Sequence, residues 1–246
     1  MPFTFSHPAI VLPFVYLPKH WFSLTGLVVG SLTPDFEYFL RMKIKGNYGH
    51  TIEGLLWFDL PLGLLLAFIF HNIVRDSLID NLPSAIQSRL STFKKLNWSR
   101  HFKTKSLVVV ISILIGAASH ILWDGLTHDN GYSAQIFLRL PKIINVFGNQ
   151  ISFFKIIERL STVLGVFVIA YAVYKLPTEK NKKIKIDLKY WGLLIGLTLV
   201  IILLKFLSGL EIDQYKNVVV SIISAILLSL TLTPIILNQC KTGGNN

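Results

Sequence analysis

The chain has 246 residues, of which 52% are hydrophobic and 15% charged, and its mean hydropathy is positive. This composition excludes an ordinary soluble domain and indicates an integral membrane protein. The net charge of +11 does not indicate nucleic-acid binding, because the Lys and Arg residues lie in loops between apolar segments. The single cysteine, Cys240, excludes an intramolecular disulfide and a cysteine-based zinc site. A bound metal would therefore need His and carboxylate ligands.

The first 34 residues contain two apolar runs, 7–16 and 21–32, separated by Leu17-Pro18-Lys19-His20. Each run is too short to cross the membrane, since a spanning helix needs about 20 residues. We therefore predict a re-entrant or half-buried helical hairpin, which is tolerated in a membrane when protein or water covers its turn. Such a hairpin brings its two ends, His7 and Asp35, to the same side.

Longer apolar stretches follow the hairpin and predict about five transmembrane helices. Asp59 and Pro61 interrupt the first of these stretches, which weakens its helical signal. The predicted fold class is all-α: a polytopic helical membrane bundle that begins with the short hairpin. The predicted spans are 55–73, 106–123, 160–176, 191–209 and 217–237.

The distribution of basic residues predicts the topology. The loops at 75–105 and 175–189 are rich in Lys and Arg, whereas 35–53 and 124–159 are nearly balanced in sign. Because cytoplasmic loops carry the excess of positive charge, we place the two basic loops and the C-terminus in the cytoplasm of a plasma (inner) membrane protein. Within 75–105, apolar residues recur at helical spacing after Pro83, which is typical of an amphipathic interfacial helix.

The strongest candidate site residues form an HxxxDxxxH motif near the end of the second predicted span. His120, Asp124 and His128 are spaced by four, so a helix places them on one face. The alternative interpretation is that Asp124 and His128 mark the water interface while His120 is a hydrogen-bonded core residue. We favour a functional role, because ionisable groups inside membrane segments are costly and tend to be functional. Thr127 is a candidate donor to the ligands.

Three further candidates lie near the ends of other apolar segments. His7 precedes Pro8, Asp35 follows Pro34, and His50 precedes the 55–73 stretch. Each has a structural alternative: a helix start for His7, a helix cap for Asp35 and an interfacial position for His50. In the predicted topology, all of these regions meet at the non-cytoplasmic face. Glu37 is a weaker candidate for a residue that supports the ligands.

The chemistry is expected in the first half of the chain. All seven His residues lie before residue 140, so we divide the chain into a membrane-embedded metal-site region, 1–159, and a three-helix anchor with a tail, 160–246. We interpret His20, His71 and His101 as structural or surface residues. Serine-nucleophile and nucleotide-binding motifs are absent from the sequence.

The motifs resemble those of a known family. MPFTFSHPAIVLPF, LTGLVVGSLTPDFEYFL, GHTIEGLLWFDLPLGLLLAFIFH and ASHILWDGLTHDNG are similar to the DUF4184 family of bacterial membrane proteins, over about residues 1–235. The order of His, PD, HT and HxxxD is also similar to the LexA-regulated YdjM-like inner-membrane metal-dependent hydrolases. More distantly, it resembles the all-α fold of zinc-dependent phospholipase C and P1 nuclease. Those enzymes have a second helical HxxxE or HxxxD that this chain lacks, so a trinuclear centre is not expected.

The resemblance implies a metal-dependent hydrolase with one or two divalent metals, zinc first and manganese second. The implied metal ligands are His7, Asp35, His50, His120, Asp124 and His128, and the implied catalytic residues are Asp124, His128 and His7. A lipid or lipid-linked phosphoester is the expected substrate, membrane lipids are the expected partners, and nucleic acid is not expected. Two alternatives stay open: a metal-ion or proton-translocating protein, and a non-catalytic scaffold whose polar cluster holds helices together.

Overall fold

The computed structural model of the chain describes residues 3–18, 20–127, 143–146, 149–179, 186–210 and 214–243. In this part of the chain the protein is all-α apart from one small hairpin. Five of the described helices are long and apolar enough to cross a membrane. The predicted fold class, an all-α multi-pass membrane protein, is confirmed. These spans are Leu55–Asn81, Trp98–Thr127, Phe153–Lys175, Leu188–Leu207 and Tyr215–Gln239.

The described helices follow one another along the chain with short connections. We number them α1 (Pro8–Val11), α2 (Leu24–Gly30), α3 (Thr33–Arg41), α4 (Leu55–Asn81), α5 (Ser84–Leu90), α6 (Trp98–Thr127), α7 (Phe153–Lys175), α8 (Leu188–Leu207) and α9 (Tyr215–Gly243). Short 3₁₀ helices lie at Thr4–Ser6, Leu12–Tyr16 and Ser91–Lys95. Strands β1 (Ile143–Val146) and β2 (Asn149–Ser152) pair antiparallel, with Ile144 opposite Ile151.

The chain folds into two compact units, each built from separate stretches of sequence. The first comprises Met1–Asp35, Asn47–Leu64 and Lys105–Lys175, and the second comprises Phe36–Gly46, Leu65–Thr104 and Leu176–Asn246. The backbone of α6 leaves helical geometry at Lys105, where one unit gives way to the other. The sequence-based division at residue 159 separates a predicted metal-site region from a predicted membrane anchor. Residue 159 lies inside α7, and this functional division stays a prediction.

The predicted N-terminal hairpin is present in the first unit. Pro8 starts α1, a position that suits its fixed φ and its missing N–H. Ser23 caps α2 by accepting a hydrogen bond from the backbone N–H of Gly26 at 3.3 Å. The two arms meet through the rings of Phe14 and Phe22, whose centroids are 5.0 Å apart. The hairpin therefore folds back on itself as the apolar run lengths predict.

Helix α4 accommodates Asp59 and Pro61, which interrupt its apolar sequence. The segment Leu55–Asp59 is a π-helical turn, and regular α-helix resumes at Leu60. A proline removes one backbone hydrogen bond and its ring crowds the preceding turn, so a wider turn directly before Pro61 relieves the conflict. The helix therefore continues through the interruption to Asn81.

In the second unit, the basic segment after α4 is helical from Ser84 onward, where the sequence predicts an amphipathic helix after Pro83. Residues 75–81 extend α4, and α5 and the 3₁₀ turn Ser91–Lys95 follow. Arg89 donates to the carbonyl oxygen of Leu176 at 3.0 Å, and the indole of Trp191 donates to the carbonyl oxygen of Asn81 at 2.9 Å. Helices α8 and α9 pack against each other in the same unit.

Candidate metal centre

A cluster of two His and two Asp side chains lies within the first unit. Each of the four residues offers one ligand atom, and these atoms all lie within 4.8 Å of one another. Asp35 comes from the first turn of α3, His50 from the loop before α4, and His120 and Asp124 from consecutive turns of α6. The four are Asp35, His50, His120 and Asp124.

Two close backbone approaches bring these elements together. A Cβ atom on Gly116 would lie 2.3 Å from the carbonyl oxygen of Leu27, so α6 and α2 touch one turn before His120. A Cβ atom on Gly49 would lie 2.4 Å from the carbonyl oxygen of Pro34. Each glycine thus permits an approach that any larger residue would obstruct. The second approach places His50 and Asp35, the next residues along, beside each other.

Nitrogen and oxygen atoms alternate around the cluster. The Nε2 atom of His50 lies 3.4 Å from both Asp35 Oδ1 and Asp124 Oδ2. The Nε2 atom of His120 lies 3.6 Å from Asp35 Oδ1 and 3.5 Å from Asp124 Oδ2. Within the described residues, neither His120 Nε2 nor Asp35 Oδ1 has a conventional hydrogen bond. Two imidazole nitrogens and two carboxylate oxygens therefore converge on one small space.

These separations fit a divalent metal ion. Zinc bonds to His nitrogen and carboxylate oxygen are about 2.0–2.2 Å long, so tetrahedral ligand atoms lie about 3.3–3.6 Å apart. The four N–O separations in the cluster, from 3.4 to 3.6 Å, fall in this range. A mixed imidazole and carboxylate set also suits manganese and iron. The donor set therefore supports a divalent metal without selecting zinc.

The cluster is buried, and its charges depend on one another. The side chains of His120 and Asp35 are 0% and 2% exposed, whereas that of His50 is 26% exposed. Burial alone disfavours the charged form of Asp35, but the contacts with His120 and His50 outweigh it and hold the pKa of Asp35 well below its ordinary value. Burial also opposes charge on His50, yet its contacts with Asp124 and Asp35 raise the pKa of His50 above its ordinary value. These contacts favour a charged Asp35 and a protonated His50 when the cluster holds no cation.

Neighbouring groups fix the orientation of the ligand atoms. His120 Nδ1 donates to the carbonyl oxygen of Ser31 at 2.8 Å. Because a carbonyl only accepts, Nδ1 carries the proton and the other nitrogen, Nε2, is directed to the cluster. The Thr4 hydroxyl donates to Asp35 Oδ2 at 2.5 Å, so Asp35 presents its other oxygen, Oδ1, to the cluster. This pattern, in which outer hydrogen bonds hold the ligands, is typical of metal sites.

His7 lies beside the cluster but not among its four ligand residues. Its Nε2 atom contacts Asp124 Oδ1 at 3.2 Å, and its Nδ1 atom lies 3.1 Å from the carbonyl oxygen of Thr4. Its ring also stacks on that of His120, with centroids 3.9 Å apart. In this geometry His7 holds Asp124 in place. The roles of His7 as a metal ligand and as a catalytic residue stay predictions.

The remaining predicted residues lie in other settings. His128 falls outside the described residues. The Thr127 hydroxyl donates to the carbonyl oxygen of Trp123 at 3.0 Å and lies 3.5 Å from that of Asp124, and Glu37 pairs with Arg41 at 2.9 Å in the second unit. Their supporting roles stay predictions.

The other histidines agree with a structural or surface interpretation. His71 stacks on Trp98, with ring centroids 4.6 Å apart, and hydrogen-bonds Arg75 at 3.0 Å. His101 also stacks on this indole, with centroids 5.7 Å apart. His20 is exposed.

Sequence reasoning missed two contacts of the cluster, the Thr4 hydroxyl and the Ser31 carbonyl. A backbone carbonyl leaves no trace in a sequence, so Ser31 could not have been found. Thr4 lies three residues before His7, and an N-terminal polar residue so close to a candidate ligand was the available signal.

Comparison with known proteins places the chain in a family. The family described as "Domain of unknown function (DUF4184)" matches residues 1–235, which include all four residues of the cluster. The chain belongs to the DUF4184 family. Searches of curated proteins and of solved structures each gave no match. The family description carries no activity, so function must be argued from the cluster itself.

Proposed function

We propose that this DUF4184 protein is a membrane-bound, metal-dependent hydrolase. The observation that carries the proposal is the alternation of two imidazole nitrogens and two carboxylate oxygens at 3.4–3.6 Å in a buried cluster. Imidazole nitrogen and carboxylate oxygen are the ligand atoms that zinc and manganese take in proteins, and this alternation presents both kinds to one small space. A divalent cation between them balances the two negative charges.

The four residues divide the work of holding the metal. Asp35, His50, His120 and Asp124 are the proposed ligands, with zinc as the first choice and manganese as the second. When bound, such a metal acts as a Lewis acid and lowers the pKa of a water molecule toward neutrality. His50 is the most exposed of the four, so water and substrate would enter from its side. His7 would orient Asp124 through the 3.2 Å contact.

The proposed reaction is hydrolysis of a phosphoester or a lipid-linked ester, in which water cleaves the ester bond and releases an alcohol and an acid. The resemblance to YdjM-like hydrolases and, distantly, to the phospholipase C and P1 nuclease fold supports this reaction class. The placement of His120 and Asp124 on a membrane-spanning helix supports a substrate that reaches the cluster from the lipid phase. Membrane lipids are the proposed partners, and nucleic acid has no place in the proposal.

The proposed location is the plasma membrane, with the C-terminus in the cytoplasm and the cluster at the non-cytoplasmic face. The basic residues of the loops at 75–105 and 175–189 support this orientation. Reporter fusions after residue 246 and within the 75–105 loop would test it. Both reporters should behave as cytoplasmic, and a periplasmic signal from either would overturn the orientation.

The decisive experiment measures metal content on the full-length protein purified in detergent. Wild type should hold about one equivalent of zinc or manganese, and D124N and H120Q should lose it while still eluting as a single species. H20Q is the matched control, because His20 is an exposed histidine outside the cluster. Wild type that stays metal-free after reloading would overturn the proposal, as would equal metal content in all variants. Phosphodiester and lipid ester screens should show activity only in the metal-loaded wild type and H20Q.

Ion translocation is the second candidate function, and Asp59 favours it. This carboxylate is fully buried within the membrane span Leu55–Asn81, where ionisable groups tend to mark ion or proton paths. Translocation requires that metal or protons cross proteoliposomes containing the protein and that D59N abolishes the flux. Wild-type vesicles as tight as empty ones would exclude it.

A further inference from the structure

An apolar groove adjoins the metal cluster in the first unit. We call it the α7 groove: a cavity of about 500 Å³ between residues 6–10, the last turns of α6 and one side of α7. Volumes of this size are typical of small-molecule sites. His7 forms part of its wall, and the same residue contacts Asp124 at 3.2 Å. His7 therefore connects the groove with the cluster.

The polar groups around the groove are already satisfied from within the protein. The hydroxyls of Ser6, Thr127 and Ser161 donate to backbone carbonyl oxygens at 2.7, 3.0 and 2.9 Å. A polar occupant would lose its hydration here without gaining comparable hydrogen bonds, which is unfavourable. The rest of the lining is almost wholly apolar. The groove therefore suits a hydrocarbon chain.

The length of the groove is close to the thickness of one leaflet of a membrane. Its α7 wall runs from Ile157 to Val168 within the span Phe153–Lys175. At 1.5 Å per residue this is about 16 Å, roughly half of the ~30 Å hydrocarbon core. The side chains of Leu160 and Leu164 are 56% and 63% exposed, so the groove is open on the side that would face lipid. A chain from the bilayer could enter laterally.

Two residues of the lining connect the groove with the cluster. Thr127 lies one turn beyond Asp124 on α6, and His7, whose neighbour Ser6 packs against Gly165 of α7, contacts Asp124 at 3.2 Å. A lipid with its alkyl chain on the apolar wall would place its polar end beside His7 and Asp124. A polar end among the apolar side chains of α7 would lose its hydration, which is costly.

From this geometry we propose that the α7 groove binds the alkyl chain of a lipid-linked phosphoester and presents the ester end of that lipid to the metal cluster. The proposal rests on the hydrolase function above and names its substrate class. The occupant is a lipid, because the open wall lies within an apolar membrane span and the hydroxyls of the lining already donate to backbone carbonyl oxygens. The remaining lining offers contacts that suit a hydrocarbon chain. The single ionisable group in the described lining, His7, gives the polar end its place.

A matched pair of neighbouring substitutions on α7 tests the proposal. Leu164 lines the groove and is 63% exposed, whereas Val163 is 51% exposed and lies outside the lining. L164W should obstruct the groove, and V163W adds a similar bulk elsewhere on the same helix. A9W obstructs the groove from the opposite wall and serves if L164W fails to fold. Each protein is used at full length in detergent.

Native mass spectrometry with hexadecyl phosphonate, a non-hydrolysable lipid-like probe, gives the readout. Wild type and V163W should form a 1:1 complex, and L164W and A9W should bind at least roughly tenfold more weakly, as expected when a hydrocarbon pocket is overfilled. Butyl phosphonate, whose short chain leaves most of the groove unused, should bind all four proteins weakly and alike. Equal binding of the long-chain probe to L164W, A9W and V163W would overturn the proposal. So would a wild-type dimer that L164W separates, since a second copy would then occupy the groove.

Metal content measured on the same samples separates the two proposals. All four proteins should keep the metal, because none of the substitutions alters a ligand. If metal is present but the groove variants bind the long-chain probe normally, the groove proposal fails while the hydrolase proposal stands. If the groove variants lose the probe but wild type binds no metal even after reloading, chain binding stands and the hydrolase proposal fails.

Discussion

Replacing Thr4 by Val should weaken metal binding without removing a ligand. The Thr4 hydroxyl donates to Asp35 Oδ2 at 2.5 Å, and both residues are buried. Valine keeps the size and shape of threonine but has no donor. The buried carboxylate would then lose one of the contacts that keep its pKa low, so the pKa of Asp35 should rise toward its ordinary value.

The expected size of the effect follows from two independent estimates. A hydrogen bond to a charged group contributes about 1.5–3 kcal/mol. Loss of an outer hydrogen bond to a metal ligand typically weakens metal binding about 10- to 100-fold, which corresponds to about 1.4–2.8 kcal/mol. The two estimates agree, so T4V should raise the zinc Kd about 10- to 100-fold.

Competition with a chromogenic chelator measures this Kd on purified protein at pH 7.5. T4S should restore most of the affinity, because serine regains the hydroxyl. T198V is the matched control: Thr198 donates to the Leu194 carbonyl oxygen at 2.8 Å in α8 and belongs to the other unit. If T4V binds zinc as tightly as wild type and T198V, then Thr4 does not position Asp35 for a metal and the reasoning is refuted.

Three further predictions test the cluster and its support. A bound metal requires a neutral imidazole, and the raised pKa of His50 means that protons compete with the metal for this residue. Zinc affinity measured by calorimetry should therefore fall steadily as pH is lowered from 8 to 6, and an affinity independent of pH would contradict ligation by His50. H7F should keep a ring on His120 but lose the contact with Asp124, so the zinc Kd should rise about 10- to 100-fold in the chelator assay, and an unchanged Kd would rule out the positioning role. G116A places a Cβ atom 2.3 Å from a backbone oxygen of α2, and the resulting overpacking, which costs about 1–3 kcal/mol, should lower both the melting temperature and the metal content. Gly192 has open space around it, so the control G192A should melt no earlier than wild type.

Hydropathy and spacing determined the parts of this protein that depend on local sequence. An apolar stretch of membrane length must form a helix because its backbone polar groups have no other partner in lipid. The hairpin followed from run lengths too short to span, and the shared face of His120 and Asp124 followed from their spacing of four. The interrupted span around Pro61 begins at Leu55 as predicted, although it continues to Asn81 and only the structure shows the π-helical turn that accommodates the proline.

The tertiary structure decided which candidates form the cluster. Asp35, His50 and His120 lie on different elements, and nothing in their local sequence fixes a 3.4 Å or 3.6 Å separation between their atoms. Close backbone approaches at Gly116 and Gly49 bring these elements together, and such approaches are a property of packing. For the same reason, sequence could not fix the contacts of His7, whose Nε2 atom lies 3.2 Å from Asp124 Oδ1 and whose ring stacks on that of His120.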